Sequence, residues 1–290
     1  MSHLLDIYLL EAVINGLLFG GLLALLSLGL NLVFGVIEVI WICYGELIMV
    51  GMYSIWWLYK VVGVPLPLAM LVGILFVAVL GAALHQFIIR PVLNADPINQ
   101  LLVTGGVLFF LQAAATVVFG IEYRNIGVNL PSLSLGEISV SLTRIIGFGV
   151  AVAAIAVTYV FLSRTYVGTA IRAISQDRTV MPLMGVNPAT IYLVTSALGG
   201  ALAALASCLL VLQYDMHPAI GLAFGPILFI ICILGGLGNL VGGFLAAFVI
   251  AQFISIGGYF FQSEWGYVIA FAFFILAIFI RPAGLFAKKR

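Results

Sequence analysis

Apolar residues in this chain come in long runs rather than in alternation. Nine stretches, about 9–32, 40–59, 66–89, 98–119, 143–162, 188–213, 222–235, 240–256 and 266–281, are apolar on every face. A helix that is apolar all round is buried in a large core or spans a membrane. About 20 such residues cross the hydrocarbon layer. The strands of a membrane barrel would instead alternate apolar and polar positions over roughly ten residues. The pattern therefore predicts an all-α, polytopic transmembrane bundle of about eight or nine membrane segments. Not every run need cross completely. The stretch 222–235 is short, contains Pro226 and leads into "LGGLGNLVGG". It reads as a half-helix or as one arm of a tight helical pair. Broken backbone persists at membrane depth only where protein or a water-filled cavity surrounds it.

Composition strengthens this reading. The chain is 64% hydrophobic and 7% charged over 290 residues. Its mean hydropathy is +1.30. A water-soluble domain of this length needs far more charge to cover its surface. A net charge of +1 offers no basic field for nucleic acid. No linker, low-complexity tract or soluble domain interrupts the chain, so residues 1–290 are expected to form one transmembrane domain. The N-terminal "MSHLLDIYLLEAVING" has no Lys or Arg before its apolar run and no small-residue cleavage site, so it is expected to stay as the first membrane helix. Cys43, Cys208 and Cys232 are scattered through apolar runs, which suits neither a disulfide framework nor a zinc site. His3, His85 and His217 are equally scattered, and no metal is assigned. No phosphate-binding loop of the glycine-lysine-threonine type is present. If the chain moves a solute uphill, the energy comes from elsewhere.

Charge then orients the bundle, because Lys and Arg in short loops mark the cytoplasmic side. The loop 164–178 carries Arg164, Arg172 and Arg178, and the tail "RPAGLFAKKR" carries Arg281, Lys288, Lys289 and Arg290. Both are expected in the cytoplasm, as is Arg90. The loop of about 120–141 sets Glu122 and Glu137 against Arg124 and falls outside. Its alternating Val, Leu, Ile and Ser pattern predicts a small hairpin. Counting back puts the N-terminus outside.

The cytoplasmic loop has a pattern of its own. Val167, Ala170, Ile171 and Ile174 share one helical face, with Thr169, Arg172, Gln176 and Thr179 on the other. A short amphipathic helix is expected, ending near Met181 because Pro182 disfavours helical geometry before it. Gly185 supplies a turn. Asn187 is an N-cap for the next span, with Pro188 at its first position. A plain topology loop needs only a few Lys or Arg. A capped helix with an acid beside a base instead looks built to contact lipid or protein.

"GTAIRAISQDRTVMPLMGVN" resembles the cytoplasmic coupling segment of permease subunits in the branched-chain amino acid ATP-binding-cassette importers. The family pattern is roughly G-x-x-x-R-A-x-x-x-D, then L-x-G-I/V-N. Gly168, Arg172, Ala173, Asp177, Leu183, Gly185, Val186 and Asn187 match it, while Met181 and Pro182 replace the usual small residues. "ILGGLGNLVGGFLAA" is similar to the family's glycine run, with Val241 where proline is common. "IWICYGE" stands where the family usually shows I-N-F-A-H-G-E: Gly45 and Glu46 match, and Trp41, Cys43 and Tyr44 do not. The resemblance extends over essentially the whole chain in length, segment order and motif spacing.

The resemblance implies a multi-pass subunit of a bacterial inner membrane. Its partners would be a second permease subunit (more often different than identical), two cytoplasmic ATPase subunits that use ATP and Mg, a substrate-binding protein outside and the lipid bilayer. The chain itself would be no enzyme and hold no cofactor. The helix of about 166–182 would sit in a groove of the ATPase subunit, with Gly168, Arg172, Ala173, Asp177 and Gly185 as the coupling residues. Arg172 and Asp177 would face or brace the groove, and Gly168 would permit close backbone approach. The family carries branched-chain amino acids; relatives carry urea, short amides or aromatic and organic acids, and the large Trp41 and Tyr44 leave this choice open. A stand-alone secondary transporter or channel would account for the spans but not for the coupling helix. A membrane enzyme would need a polar catalytic cluster, and none is visible.

Polar groups inside the runs supply the remaining candidates. A carboxylate at the bilayer centre costs about 2.5–3.5 kcal/mol on insertion scales. Glu46 lies well inside an apolar stretch, so it is either on the substrate path, a helix-bracing acceptor there, or paired or solvated near the cytoplasmic interface. Trp41, Tyr44, Glu46, Gly236 and Gly238 are the expected substrate-path residues. Glu38 lies nearer a boundary. Glu11, Asn15, Asn31, His85, Gln86 and Gln112 suit interhelical hydrogen bonds. Gly235, Gly236, Gly238, Gly242 and Gly243 either let helices approach closely or mark a backbone break lining the conduit.

Overall fold

A computed structural model describes residues 2–128, 132–135, 138–177, 180–282 and 284–286. Glu137, Arg178, Thr179, Lys288, Lys289 and Arg290 lie outside the described residues.

Each apolar run becomes a helix. In chain order these are α1 (Ser2–Ile37), α2 (Tyr44–Trp56, prolonged by a π-helical turn, Trp57–Val61), α3 (Leu66–Leu84, prolonged by a π turn, His85–Ile89, and a last turn α4, Arg90–Val92) and α5 (Pro97–Phe119). After a two-stranded hairpin, β1 (Ser132–Leu135) with β2 (Ile138–Ser141), come α6 (Leu142–Arg164), the short α7 (Tyr166–Ile174), a 3₁₀ turn (Met181–Met184), α8 (Pro188–Leu210), α9 (Ile220–Gly235), α10 (Leu240–Phe260) and α11 (Ser263–Ile280). Six helices among the described residues are long and apolar enough to cross a membrane: Tyr8–Ile37, Leu66–Val92, Pro97–Phe119, Leu142–Arg164, Pro188–Leu210 and Leu240–Phe260. The chain is a multi-pass membrane protein. Ile220–Gly235 and Glu264–Ile280 are apolar but shorter. Pro226 lies inside α9 and is exposed, so its missing N–H weakens a helix that is already brief.

Hydropathy does not decide which helix is central. In the most apolar part of α1, 89% of residues are buried, against 17% in α5 and in α6. α1 packs against α6, α8, α9 and α10, while α2 is wedged among α3, α8 and α9. Small residues make this possible. A Cβ on Gly35 would stand 2.7 Å from the Cα of Gly238, so the middle of the fold is held at backbone contact distance. The expected hairpin is present, antiparallel, with Leu133 opposite Val140.

The two ends of the bundle differ. At about 1.5 Å per residue, the 23 residues of α8 separate its ends by the depth of the apolar layer. α8 packs against α7. Beyond its C-terminal end, Met216 forms an antiparallel bridge with Arg124, joining the chain after α8 to the loop after α5.

The helix expected over about 166–182 is shorter than the sequence suggested: it is α-helical only over Tyr166–Ile174. Polar side chains after it bond nearby backbone and compete with helix extension. The Ser175 hydroxyl donates to the Arg172 carbonyl at 2.7 Å, and Asp177 Oδ1 accepts from the Val180 N–H at 3.2 Å. The exit is as expected: Gly185 adopts φ +78°, and Asn187 Oδ1 accepts from the Ala189 N–H at 3.0 Å with Pro188 opening α8.

Candidate functional site

The amphipathic pattern of α7 is realised. Ala170, Ile171 and Ile174 are buried and Val167 is half-buried, while Thr169, Arg172 and Gln176 are exposed. Thr165 caps the helix, its Oγ1 accepting from the Gly168 N–H at 3.0 Å. Gly168 also has a reason internal to the chain. A Cβ there would lie 2.5 Å from the Cα of Leu162, so the glycine lets α7 fold back on the last turn of α6. That close approach is made within the chain's own bundle. Ala173 is half-buried, and Asp177 and Gly185 are exposed.

A pocket of about 760 Å³, its wall largely apolar with a few polar groups, opens beside α7. Its wall combines Arg172 with Glu38 and with Gly236, Gly238 and Asn239. Segments from three distant parts of the sequence therefore share one space. Glu38 is the only described non-glycine residue with positive φ, at +57°. It ends α1 in a left-handed conformation that side chains other than glycine seldom adopt.

Residues 236–239, the corner between α9 and α10, form one wall of this pocket. Gly236 and Gly238 have φ of +85° and +79°. Asn31 clamps the corner from α1. Its Oδ1 accepts from the Gly238 N–H at 2.8 Å, and its Nδ2 donates to the Asn239 carbonyl at 3.1 Å. Asn239 Nδ2 in turn donates to the Phe286 carbonyl at 2.8 Å. The close approach expected of the glycine run is made by Gly235, which lies against Gly242 and Gly243, while Gly236 and Gly238 make the turn.

The second grouping lies deeper. Between α1 and α2 residues 38–43 are non-helical. Trp41 is fully buried, and its ring meets that of Tyr44 edge-on at 6.1 Å. The Tyr44 hydroxyl donates to the Gly199 carbonyl at 3.2 Å and fills the notch left by Gly29. Glu46 follows in the first turn of α2 and is 0% exposed. Neither of its carboxylate oxygens has a hydrogen-bond partner among the described residues. It faces Gly221 in the first turn of α9: a Cβ there would fall 2.6 Å from Oε1 and 2.8 Å from Oε2. Gly45 lies against the same turn, 3.3 Å by its would-be Cβ from the Cα of Gly225. The N-terminal ends of two short helices thus meet at one buried acid.

The candidate residues therefore regroup. Trp41 and Tyr44 are in contact, and Glu46, two residues on, faces Gly221. Gly236 and Gly238 join Arg172 instead. Gly221, Gly225 and Asn239 escaped the sequence reading; the spacing of two glycines by four on a short helix was the available signal. Asn31 makes interhelical bonds, and Asn15 Oδ1 accepts from Arg144 Nη1 at 2.8 Å. The three cysteines are buried and free. Among the described residues no three His, Cys, Asp or Glu side chains gather to hold a metal.

Comparison with known proteins adds an independent finding. The family model described as branched-chain amino acid transport system, permease component, matches residues 12–278. The chain is 29% identical to the high-affinity branched-chain amino acid transport system permease protein BraD of Pseudomonas aeruginosa, with 96% of each chain covered. It is 28% identical to the corresponding protein LivH of Escherichia coli K12, over 97% of this chain and 96% of that one. A solved structure of PsaBC from Streptococcus pneumoniae in complex with Fab aligns over 97% of this chain and 93% of its own, with a TM-score of 0.49 and 16% identity.

Proposed function

The chain belongs to the family of branched-chain amino acid transport system permease components, and from that premise we propose that it is the membrane-spanning subunit of an ATP-driven importer for branched-chain or closely related amino acids. It resides in the bacterial inner membrane and pairs with a second permease subunit. Two cytoplasmic ATPase subunits supply the energy with ATP and Mg, and a binding protein outside delivers the substrate. The chain itself hydrolyses nothing. The observation that carries this reading is the family match over residues 12–278, which takes in all three segments singled out above.

The geometry supports a division of labour along the chain. The apolar face of α7 is fixed to the bundle, and its polar face with Arg172 is left outward. The end that carries α7 also carries the α9–α10 corner through their shared pocket, and we assign this end to the cytoplasm with residues 120–141 outside. Force on α7 would be borne by the last turn of α6 at Gly168 and by the pocket that Arg172 shares with the corner. The corner is bonded to α1 through Asn31, and α1 continues into the non-helical residues that lead to Trp41, Tyr44 and Glu46. That line joins the ATPase-facing end to the substrate path.

Reconstitution tests the proposal. The chain, its second permease, the ATPase subunits and the binding protein are placed in proteoliposomes and offered leucine, isoleucine and valine, with urea and aromatic acids alongside. The expected result is ATP-dependent uptake of the branched-chain amino acids that needs every component. Failure to assemble with ATPase subunits, or uptake restricted to a substrate that is not an amino acid, would overturn it.

A further inference from the structure

We propose that Glu46 is the acceptor for the ammonium group of a zwitterionic substrate, at the seam where the N-terminal ends of α2 and α9 meet. The inference rests on the permease reading above and names what the path recognises.

A carboxylate removed from water is strongly disfavoured unless a proton or a cation compensates it. Glu46 is 0% exposed, and both oxygens lack a partner among the described residues. Most buried polar groups are satisfied, so a wholly unsatisfied acid calls for a reason. Two helix ends offset part of that cost. Glu46 stands in the first turn of α2, where the aligned peptide dipoles attract a negative charge, and it faces the first turn of α9, which adds a second such end. What the site lacks is a donor to the carboxylate oxygens. An ammonium has three donors and no acceptor, which complements that lack. An amino acid's own carboxylate would not.

The facing helix presents glycines to the acid. Gly221 and Gly225 lie one helical turn apart on the face of α9 turned to α2. Gly221 abuts the acid, while a Cβ on Gly225 would meet nothing within 4 Å. Ser27, Thr195 and Ser207, by contrast, all bond to backbone carbonyls, and among the described residues Glu46 is the one buried carboxylate with both oxygens unpartnered.

Glu46→Gln decides between this assignment and a neutral structural carboxyl. Glutamine keeps the shape and neutrality of a protonated carboxyl but cannot pair with an ammonium. In the reconstituted complex, assembly and ATP hydrolysis with loaded binding protein should persist in Glu46→Gln. Leucine uptake should fall at least about tenfold, the scale of losing one hydrogen bond to a charged group. Glu46→Asp, which keeps the charge, should recover part of the uptake. Wild-type uptake in Glu46→Gln would overturn the assignment, and so would loss of assembly in both variants. Neither outcome touches the permease reading. That reading fails separately, if the wild-type complex shows no ATP-driven uptake of any amino acid.

Discussion

Two polar spots interrupt the apolar interior, and they are built in opposite ways. At the α9–α10 corner, Asn31 uses both ends of its amide, on Gly238 and on Asn239, and Asn239 passes the connection on to Phe286. At the α2–α9 seam, Glu46 uses neither oxygen. Both side chains are buried, Asn31 at 1% and Glu46 at 0% exposure. Both spots are lined by glycines that bring backbone within contact distance. Close packing is therefore common to the two, and hydrogen-bond satisfaction is the difference. A satisfied cluster specifies one arrangement of the core. An unsatisfied one costs stability unless something else completes it, so it persists where function needs it.

The sharpest way to break the comparison is to distort the satisfied spot. Gly238 has φ +79°, and a Cβ on it would stand 2.8 Å from the Cα of Gly35. Gly238→Val forces a β-branched residue into left-handed backbone and drives it into α1. Each effect costs about 1–3 kcal/mol. Since the clash is with backbone, little relief is available. The expected outcome is loss of a monodisperse peak when detergent-extracted protein is run on size exclusion.

A milder pair sharpens it. Asn31→Ala removes both bonds to the corner, which are part-buried, at about 0.5–1.5 kcal/mol for each bond lost. Its melting temperature should fall by several degrees, about 2–4 °C for each kcal/mol in a chain of this size class. Glu46→Gln removes no bond, because none is made, and should leave the melting temperature unchanged or raise it. Equal destabilisation of the two variants, measured by thermal unfolding in the same detergent, would erase the distinction between the spots.

Legibility in the sequence follows the same physics. The helices were readable because each run is apolar on all faces, and Asn187 and Pro188 mark the start of α8 in local chemistry alone. The rank of helices in the bundle was not. α1 and α5 have nearly equal hydropathy, 2.2 and 2.1, yet differ widely in burial. What separates them is small and polar residues such as Gly29, Asn31 and Gly35, whose meaning depends on partners more than 150 positions away. The early end of α7 was missed because Pro182 looked like the terminator, whereas the side chains of Ser175 and Asp177 bond local backbone first. For the site, an acid in an apolar run was visible. Its partner Gly221 was not, since a glycine contributes to this seam only by what it leaves out.

The smallest effect on the fold is expected at Arg172, which tests whether the bonded corner extends to α7. Arg172 is exposed on the polar face of α7 and shares its pocket with Gly236 and Asn239. An exposed charge away from caps and cores changes stability by only about 0.5 kcal/mol in either direction, so Arg172→Glu should melt like the wild type. Orientation should survive too, because Arg164, Arg281 and the other basic residues at that end keep the charge asymmetry. What should change is the affinity for ATPase subunits. A charge pair buried in their groove loses about 3–5 kcal/mol when one member is removed, and an exposed pair about 0–1 kcal/mol. Titrating ATPase subunits onto wild-type and variant complexes in the same vesicles reads that difference directly. A large loss with unchanged melting makes α7 a docking element whose fold is independent of its partner. If melting falls along with affinity, Arg172 belongs to the corner's own bonded network, and the satisfied spot is larger than the bonds of Asn31 and Asn239.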